Sequence, residues 1–420
     1  MGRQPSSTRV PENVSKQSPA FFYKFLAAHS LLIGLLPFFL PVYLWQHGLS
    51  LAGLCILVGV SGLSFVASLR IWQRLFRRPT TRLLITTTFA LELLLVVVVG
   101  LFTTVPGAAL FMQQGVEQNM TLGALLLAAV IIGIANGLYN AFFWTTQRCL
   151  FLQILGNNDT GKQYGNFQIF VTLFLKAGIL LGGVLLDTGG FIWLLALSAG
   201  ISFSASTWLS GTTLEKPALE KIPATLMGSL RYTDKQGSRE VFTIDGLFLY
   251  FESHFWTLSL FLLVSQDFSR LGLTVVILAL VFGVVFFLLK NRIDQLPVER
   301  VYRAAVWLYA GSWLLRFTLD SDSQGNSMLV ALVFVTFCSS FFRLAFNKRF
   351  FDVARKGNAV EYLLIKSYSS QSYLGLLFLS FGALLLAIPV TDSVALQYAY
   401  LPVAALSLIY LKYQEHGSSP

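Results

Sequence analysis

Apolar positions along this chain come in long uninterrupted blocks. They neither alternate every second residue, as a half-buried strand requires, nor recur every three or four, as a water-facing helix requires. About twelve blocks approach or exceed the roughly 20 residues that a helix needs to cross a hydrocarbon core. They fall near 21–46, 50–73, 82–104, 121–147, 166–186 and 190–209, then near 240–265, 270–290, 301–319, 327–348, 361–388 and 393–412. The longest internal polar break, 210–239, separates six blocks from six. The expected organisation is a disordered tail (1–20), a six-helix bundle (21–209), a cytoplasmic central loop (210–239), a second six-helix bundle (240–412) and a short tail (413–420). The first tail is polar and rich in Pro and Ser, a composition that cannot bury a core. The first apolar block is too long for a cleaved signal segment and lacks a small-residue cleavage site, so it is expected to remain in the mature protein.

Composition agrees with the block pattern. Of 420 residues, 55% are hydrophobic and 12% charged, and the mean hydropathy is +0.67. A water-soluble chain carries about a quarter charged residues, so the uncharged surface is expected to face lipid. The net charge of +10 fits either nucleic acid or basic loops beside anionic lipid. Position decides between them. If the N-terminus is cytoplasmic, nearly all of the 30 Lys and Arg fall on cytoplasmic loops or helix ends, with Arg270 and Arg316 outside and Lys176 within the bilayer. Arg343 and Lys366 count with the loop between the tenth and eleventh spans. This is the positive-inside distribution; it puts both termini in the cytoplasm and leaves no continuous basic face for nucleic acid. Cys55, Cys149 and Cys338 and the four histidines are scattered, so no metal site or cofactor is expected. There is no GxxxxGK[ST] phosphate loop.

Three local patterns bear on the fold. The stretch LRIWQRLFRR, Leu69 to Arg78, lies between the second and third spans with Arg74, Arg77 and Arg78, and KNRIDQLPVER in the second half carries Asp294. The fifth span contains KAGILLGGVLLD, with Gly178, Gly182 and Gly183 as a small-residue packing seam. FFWTTQRCLFLQILGNN from Phe142 and FFRLAFNKRFFDVARKGN from Phe341 both close the fourth span of their halves, as a parallel two-fold repeat would place them. The six-plus-six plan with these patterns resembles the major facilitator superfamily. In that family the loop after span two usually reads GxLaDRxGRR; here Gln73 stands for the acid and Phe76 for the second glycine. The family's GPxxGG element is matched at its glycines, while Ile179 replaces a proline associated with antiporters. The resemblance implies an all-α integral membrane protein of about twelve transmembrane helices in two six-helix bundles. It also implies that spans one, four, seven and ten line a central cavity, while three, six, nine and twelve face lipid.

Ionisable groups inside hydrocarbon cost about 2.5–3.5 kcal/mol each on insertion scales, so each is a functional candidate. Asp245, Glu252 and Trp256 share one face of span seven by their spacings. Glu252 is the expected proton-coupling residue, with a permanent salt bridge to Lys176 as the bland alternative. Lys176 binds an anionic group or compensates Glu252. His29 in span one is a proton relay or a structural histidine, and His254 the latter. Asn136 and Asn140, four apart, offer amide groups from span four. Glu92, on a lipid-facing span, reads as a packing carboxylate, and Arg343 as a side chain snorkelling to headgroups.

The expected function is secondary active transport of a small organic solute by alternating access, coupled to protons, by a monomer in a bacterial inner membrane. A membrane enzyme acting on lipid-linked substrate, or a non-transporting sensor or assembly protein of the same fold, is the alternative.

Overall fold

The computed structural model describes residues 19–78, 82–104, 118–154, 160–210, 224–289, 297–319, 326–388 and 390–414. All regular structure in them is helical. Twelve rods follow in order: α1 (Ala20–Gln46), α2 (Leu51–Phe76), α3 (Arg82–Thr104), α4 (Gln118–Ile154), α5 (Thr160–Thr188), α6 (Phe191–Ser210), α7 (Ser238–Leu263), α8 (Phe268–Leu289), α9 (Val298–Thr318), α10 (Asn326–Ala354), α11 (Ala359–Ala387) and α12 (Asp392–Lys412). Ten of these are long and apolar enough to cross a membrane; the exceptions are α8, whose described apolar stretch is Phe268–Val281, and α9, which carries Glu299, Arg303 and Arg316. A one-turn helix, Leu226–Leu230, precedes α7.

Two rods are broken for identifiable reasons. α1 is interrupted between Leu35 and Leu40, where Pro37 has no N–H to continue the ladder. α7 changes to a π turn over Phe251–Phe255 and then resumes as α-helix from Trp256. A π turn inserts one residue into the helical count and is frequent at functional positions.

The packing pattern repeats. In the first half α1 packs on α5, α2 on α4, α3 on α6 and α3 on α4; in the second α7 packs on α11, α8 on α10, α9 on α12 and α9 on α10. Adding six to each helix number converts one set into the other. The contacts between halves obey the same rule, α2 against α11 and α8 against α5. Two equivalent six-helix halves therefore face each other about a pseudo-two-fold axis.

Small residues make those seams close. A side chain on Gly62 or Gly59 of α2 would strike the backbone of α11 at Gln371 and Gly375, and one on Gly183 of α5 would strike the Phe268 carbonyl at the start of α8. Without a solvent-driven hydrophobic force between helices in lipid, such close backbone approach is the main source of association. The surface left over is apolar: Leu173, Phe203, Trp208, Leu280, Phe287 and Val330 are all strongly exposed, which in water would be a large aggregation surface. Lipid is the solvent that suits it.

The halves also meet at both ends of the rods. At the end bearing the chain termini, Gln73 Nε2 of α2 donates to Tyr368 Oη of α11 at 3.3 Å and to the Ala224 carbonyl at 3.2 Å. Phe351 of α10 packs edge-on against Phe151 of α4 at 4.9 Å. At the far end, Asp392 Oδ2 accepts from the Leu51 N–H at 2.9 Å and from Trp45 Nε1 at 3.3 Å. Asp187 Oδ2 of α5 accepts from the Ser269 N–H at 2.8 Å.

Candidate functional site

Polar side chains inside the bundle gather in three groups. The first crosses the boundary between halves. Tyr250 of α7 and Ser61 of α2 approach at 3.2 Å between hydroxyls, and Asn136 Nδ2 of α4 donates to Ser61 at 3.0 Å. Asn140 donates to Asn136 at 3.0 Å, and Trp144 Nε1 donates to Asn140 at 2.9 Å. The spacing of four places Asn136, Asn140 and Trp144 on one stripe of α4, so one helix face carries a hydrogen-bonded ladder of two amides and an indole that is linked to the second half through Ser61 and Tyr250.

The second group is ionic and belongs to the second half. Arg343 of α10 reaches Asp245 Oδ1 through Nη1 at 3.0 Å and Glu252 Oε2 through Nε at 2.9 Å. Lys366 of α11 holds Asp245 Oδ2 at 2.9 Å, and the Tyr410 hydroxyl of α12 donates to Asp245 Oδ1 at 2.7 Å. Arg148 of α4 lies within electrostatic reach of Asp245, Arg343 and Lys366. Asp245 is thus a fully coordinated anchor, whereas Glu252 has a single cationic partner and is more exposed.

The third group is in the first half. His29 Nδ1 of α1 lies 3.0 Å from Glu92 Oε2 of α3, both buried. Phe89 stacks on the imidazole at 4.2 Å, with Phe143 at 4.3 Å and Phe25 at 4.5 Å. Tyr139 of α4 approaches the same carboxylate.

Several expectations from the sequence are corrected here. The partner of Glu252 is Arg343 and not Lys176; Lys176 is half-buried on α5 and makes no ion pair among the described residues. Arg343 and Lys366 are not loop residues. Both lie inside helices α10 and α11, and their charges turn inward to Asp245. Arg316, assigned to the outer side, is 2% exposed and stacks on Trp313 at 3.7 Å. Glu92, read as a packing carboxylate on an outer span, is buried within its own half. His29 meets that carboxylate within its own half and does not face the other half. His254, in the π turn, bonds to Ser253 Oγ at 2.9 Å through Nδ1.

The remaining candidates are placed as follows. Trp256 lies against Arg316, 4.9 Å from ring centre to guanidinium, and against Tyr400. The π turn adds a residue between Glu252 and Trp256, so the face drawn from their spacing of four bends at this point. Gly178 and Gly182 of α5 seat on Leu31 and Leu35 of α1, and Gly183 on α8. Arg74, Arg77 and Arg78 end α2 exposed; Gln73, at the acid position of the loop pattern, forms the contact to α11. Asp294 and residues 211–223 of the central loop lie outside the described residues.

Lys366, Tyr410 and Arg316 were missed, and Arg343 was read as snorkelling in preference to contacting substrate. One signal was present: in the register that pairs Phe142 with Phe341, Arg343 falls opposite Trp144, the end of the amide ladder.

No family model matches the chain, and no curated protein matches it in sequence. Solved structures do match in shape. The nucleoside transporter NupG superposes with a TM-score of 0.61 at 13% identity, over 93% of this chain and 96% of that one. A bacterial homologue of the iron transporter ferroportin, in its outward-facing state, gives 0.62 at 14% identity over 94% and 98%. The human organic anion transporter TETRAN gives 0.62 at 12% identity over 94% and 98%. The chain has the major facilitator fold.

Proposed function

From this fold and its interior we propose that the protein is a secondary active transporter, moving a small organic solute by alternating access, with protons as the coupling ion at Glu252. The observation that carries the proposal is the Arg343 guanidinium, shared between a saturated carboxylate, Asp245, and a half-satisfied one, Glu252. Protonation of Glu252 removes one of the two anions that hold Arg343 and leaves the other in place. Arg343 is then a donor that a solute can claim, opposite the Asn136–Asn140–Trp144 ladder of the other half. Binding that bridges the two halves has differential affinity for their relative arrangements, the condition for a ligand to shift a conformational equilibrium. The similar structures carry cargoes named as nucleoside, iron and organic anion, so the fold leaves the cargo open and side chains of the site choose it. In the same reading both termini are cytoplasmic, the chain acts as a monomer, and the membrane is a bacterial inner membrane.

Purified protein in liposomes, screened for counterflow of labelled solutes and then for accumulation under an imposed pH gradient, tests this. Glu252→Gln is expected to keep counterflow and lose gradient-driven accumulation. Full accumulation by that variant, or no solute moved by the unaltered protein, overturns the proposal.

A further inference from the structure

Tyr309, Trp313 and Arg316 follow one another on α9 at spacings of four and three, which places all three on one face. The face turns into the second half: the three residues are 0%, 0% and 2% exposed. Tyr309 stacks on Phe342 of α10 at 4.1 Å, and Trp313 packs against Tyr400 of α12 at 5.6 Å. Arg316 donates through Nη2 to Ser339 Oγ at 2.7 Å and lies against the rings of Trp313 and Trp256. What remains on this face are donors without acceptors. Trp313 Nε1, Arg316 Nε and Nη1, and Arg343 Nη2 are all buried and have no hydrogen-bond acceptor among the described residues. The Tyr309 hydroxyl donates to Glu252, which also lies within electrostatic reach of Arg316.

Two physical facts make this arrangement informative. A buried polar group without a partner costs about 1–3 kcal/mol, more when charged, and folded proteins contain few; here four N–H donors from α9 and α10 are left over. The charge is also unbalanced. Among the described residues, the carboxylates facing Arg316, Arg343 and Lys366 are Asp245 and Glu252, and Arg148 across the interface increases the excess of positive charge. A buried cation without a counter-charge is among the most costly groups a protein can hold.

We infer that the second half contains an anion-binding site between α7, α9 and α10, in which Trp313, Arg316 and Arg343 donate to a monovalent anion. The bound group is either a free inorganic anion such as chloride or the carboxylate of an organic acid. Both carry one negative charge and accept several N–H and O–H donors. The site lies within one half and next to Glu252, so its occupancy and the charge of Glu252 oppose each other. Equilibrium binding detects it whether or not the protein transports a solute.

Chloride NMR line broadening on the full chain in detergent, with acetate as competitor, tests the inference. Saturable excess broadening that Arg316→Gln reduces about tenfold or more in affinity, the worth of a charge-assisted hydrogen bond, supports it. Glu252→Gln is expected to tighten binding, because it removes the opposing charge, and this variant keeps the test decisive if Arg316→Gln does not fold. Displacement of chloride by acetate assigns the site to both sources. Acetate binding without chloride binding, read by calorimetry, assigns it to an organic acid. Absence of binding by either anion to the folded protein, or binding that is indifferent to both substitutions, overturns the inference.

Discussion

Asp245 accepts from three helices at once, Arg343 on α10, Lys366 on α11 and Tyr410 on α12. Removing one member of a buried pair strands its partner's charge at about 3–5 kcal/mol, whereas removing both is far cheaper. Asp245→Asn is therefore expected to lower the unfolding midpoint in detergent markedly, and adding Lys366→Met to recover part of the loss. An additive double variant would show that Lys366 gains nothing from Asp245. Asp245 and Glu252 were readable as buried carboxylates because no polar run surrounds them. Their partners were not. A cation near the end of an apolar block can reach headgroups or turn inward, and its sequence neighbours are the same in both cases.

At the scale of helices, glycine positions decide how closely rods approach. Gly62 of α2 leaves no room for a side chain beneath the Gln371 carbonyl of α11, while Gly200 of α6 has open space around it. Gly62→Leu is expected to abolish solute counterflow while Gly200→Leu leaves it unchanged, with folding of both checked by size-exclusion profile. Equal activity of the two would remove the α2–α11 seam from the working cycle. The glycine pattern on α5 was visible in the sequence. Which of its glycines faces the same half (Gly178 and Gly182) and which the other (Gly183) required the packed structure. The π turn in α7 was not visible at all, since no residue type requires one.

For the molecule as a whole, alternating access demands that contacts at each end open in turn. Phe151 and Phe351 close the end bearing the termini, and Gln46 reaches the Gln266 carbonyl at 3.5 Å at the far end. With Cys55, Cys149 and Cys338 replaced, cross-linking Phe151→Cys to Phe351→Cys, or Gln46→Cys to Gln266→Cys, is expected to stop counterflow, with recovery on reduction. Undiminished counterflow after complete cross-linking at either end would contradict rocking of the halves. The number of rods and their grouping as six and six follow from apolar block length, because hydrocarbon thickness and backbone hydrogen bonding set the length of each span locally. The inward turn of Arg316, the pairing of His29 with Glu92 and the choice of Arg343 over Lys176 for Glu252 do not. Each joins residues from different helices, and such meetings depend on helix rotation and crossing, which only the assembled bundle decides.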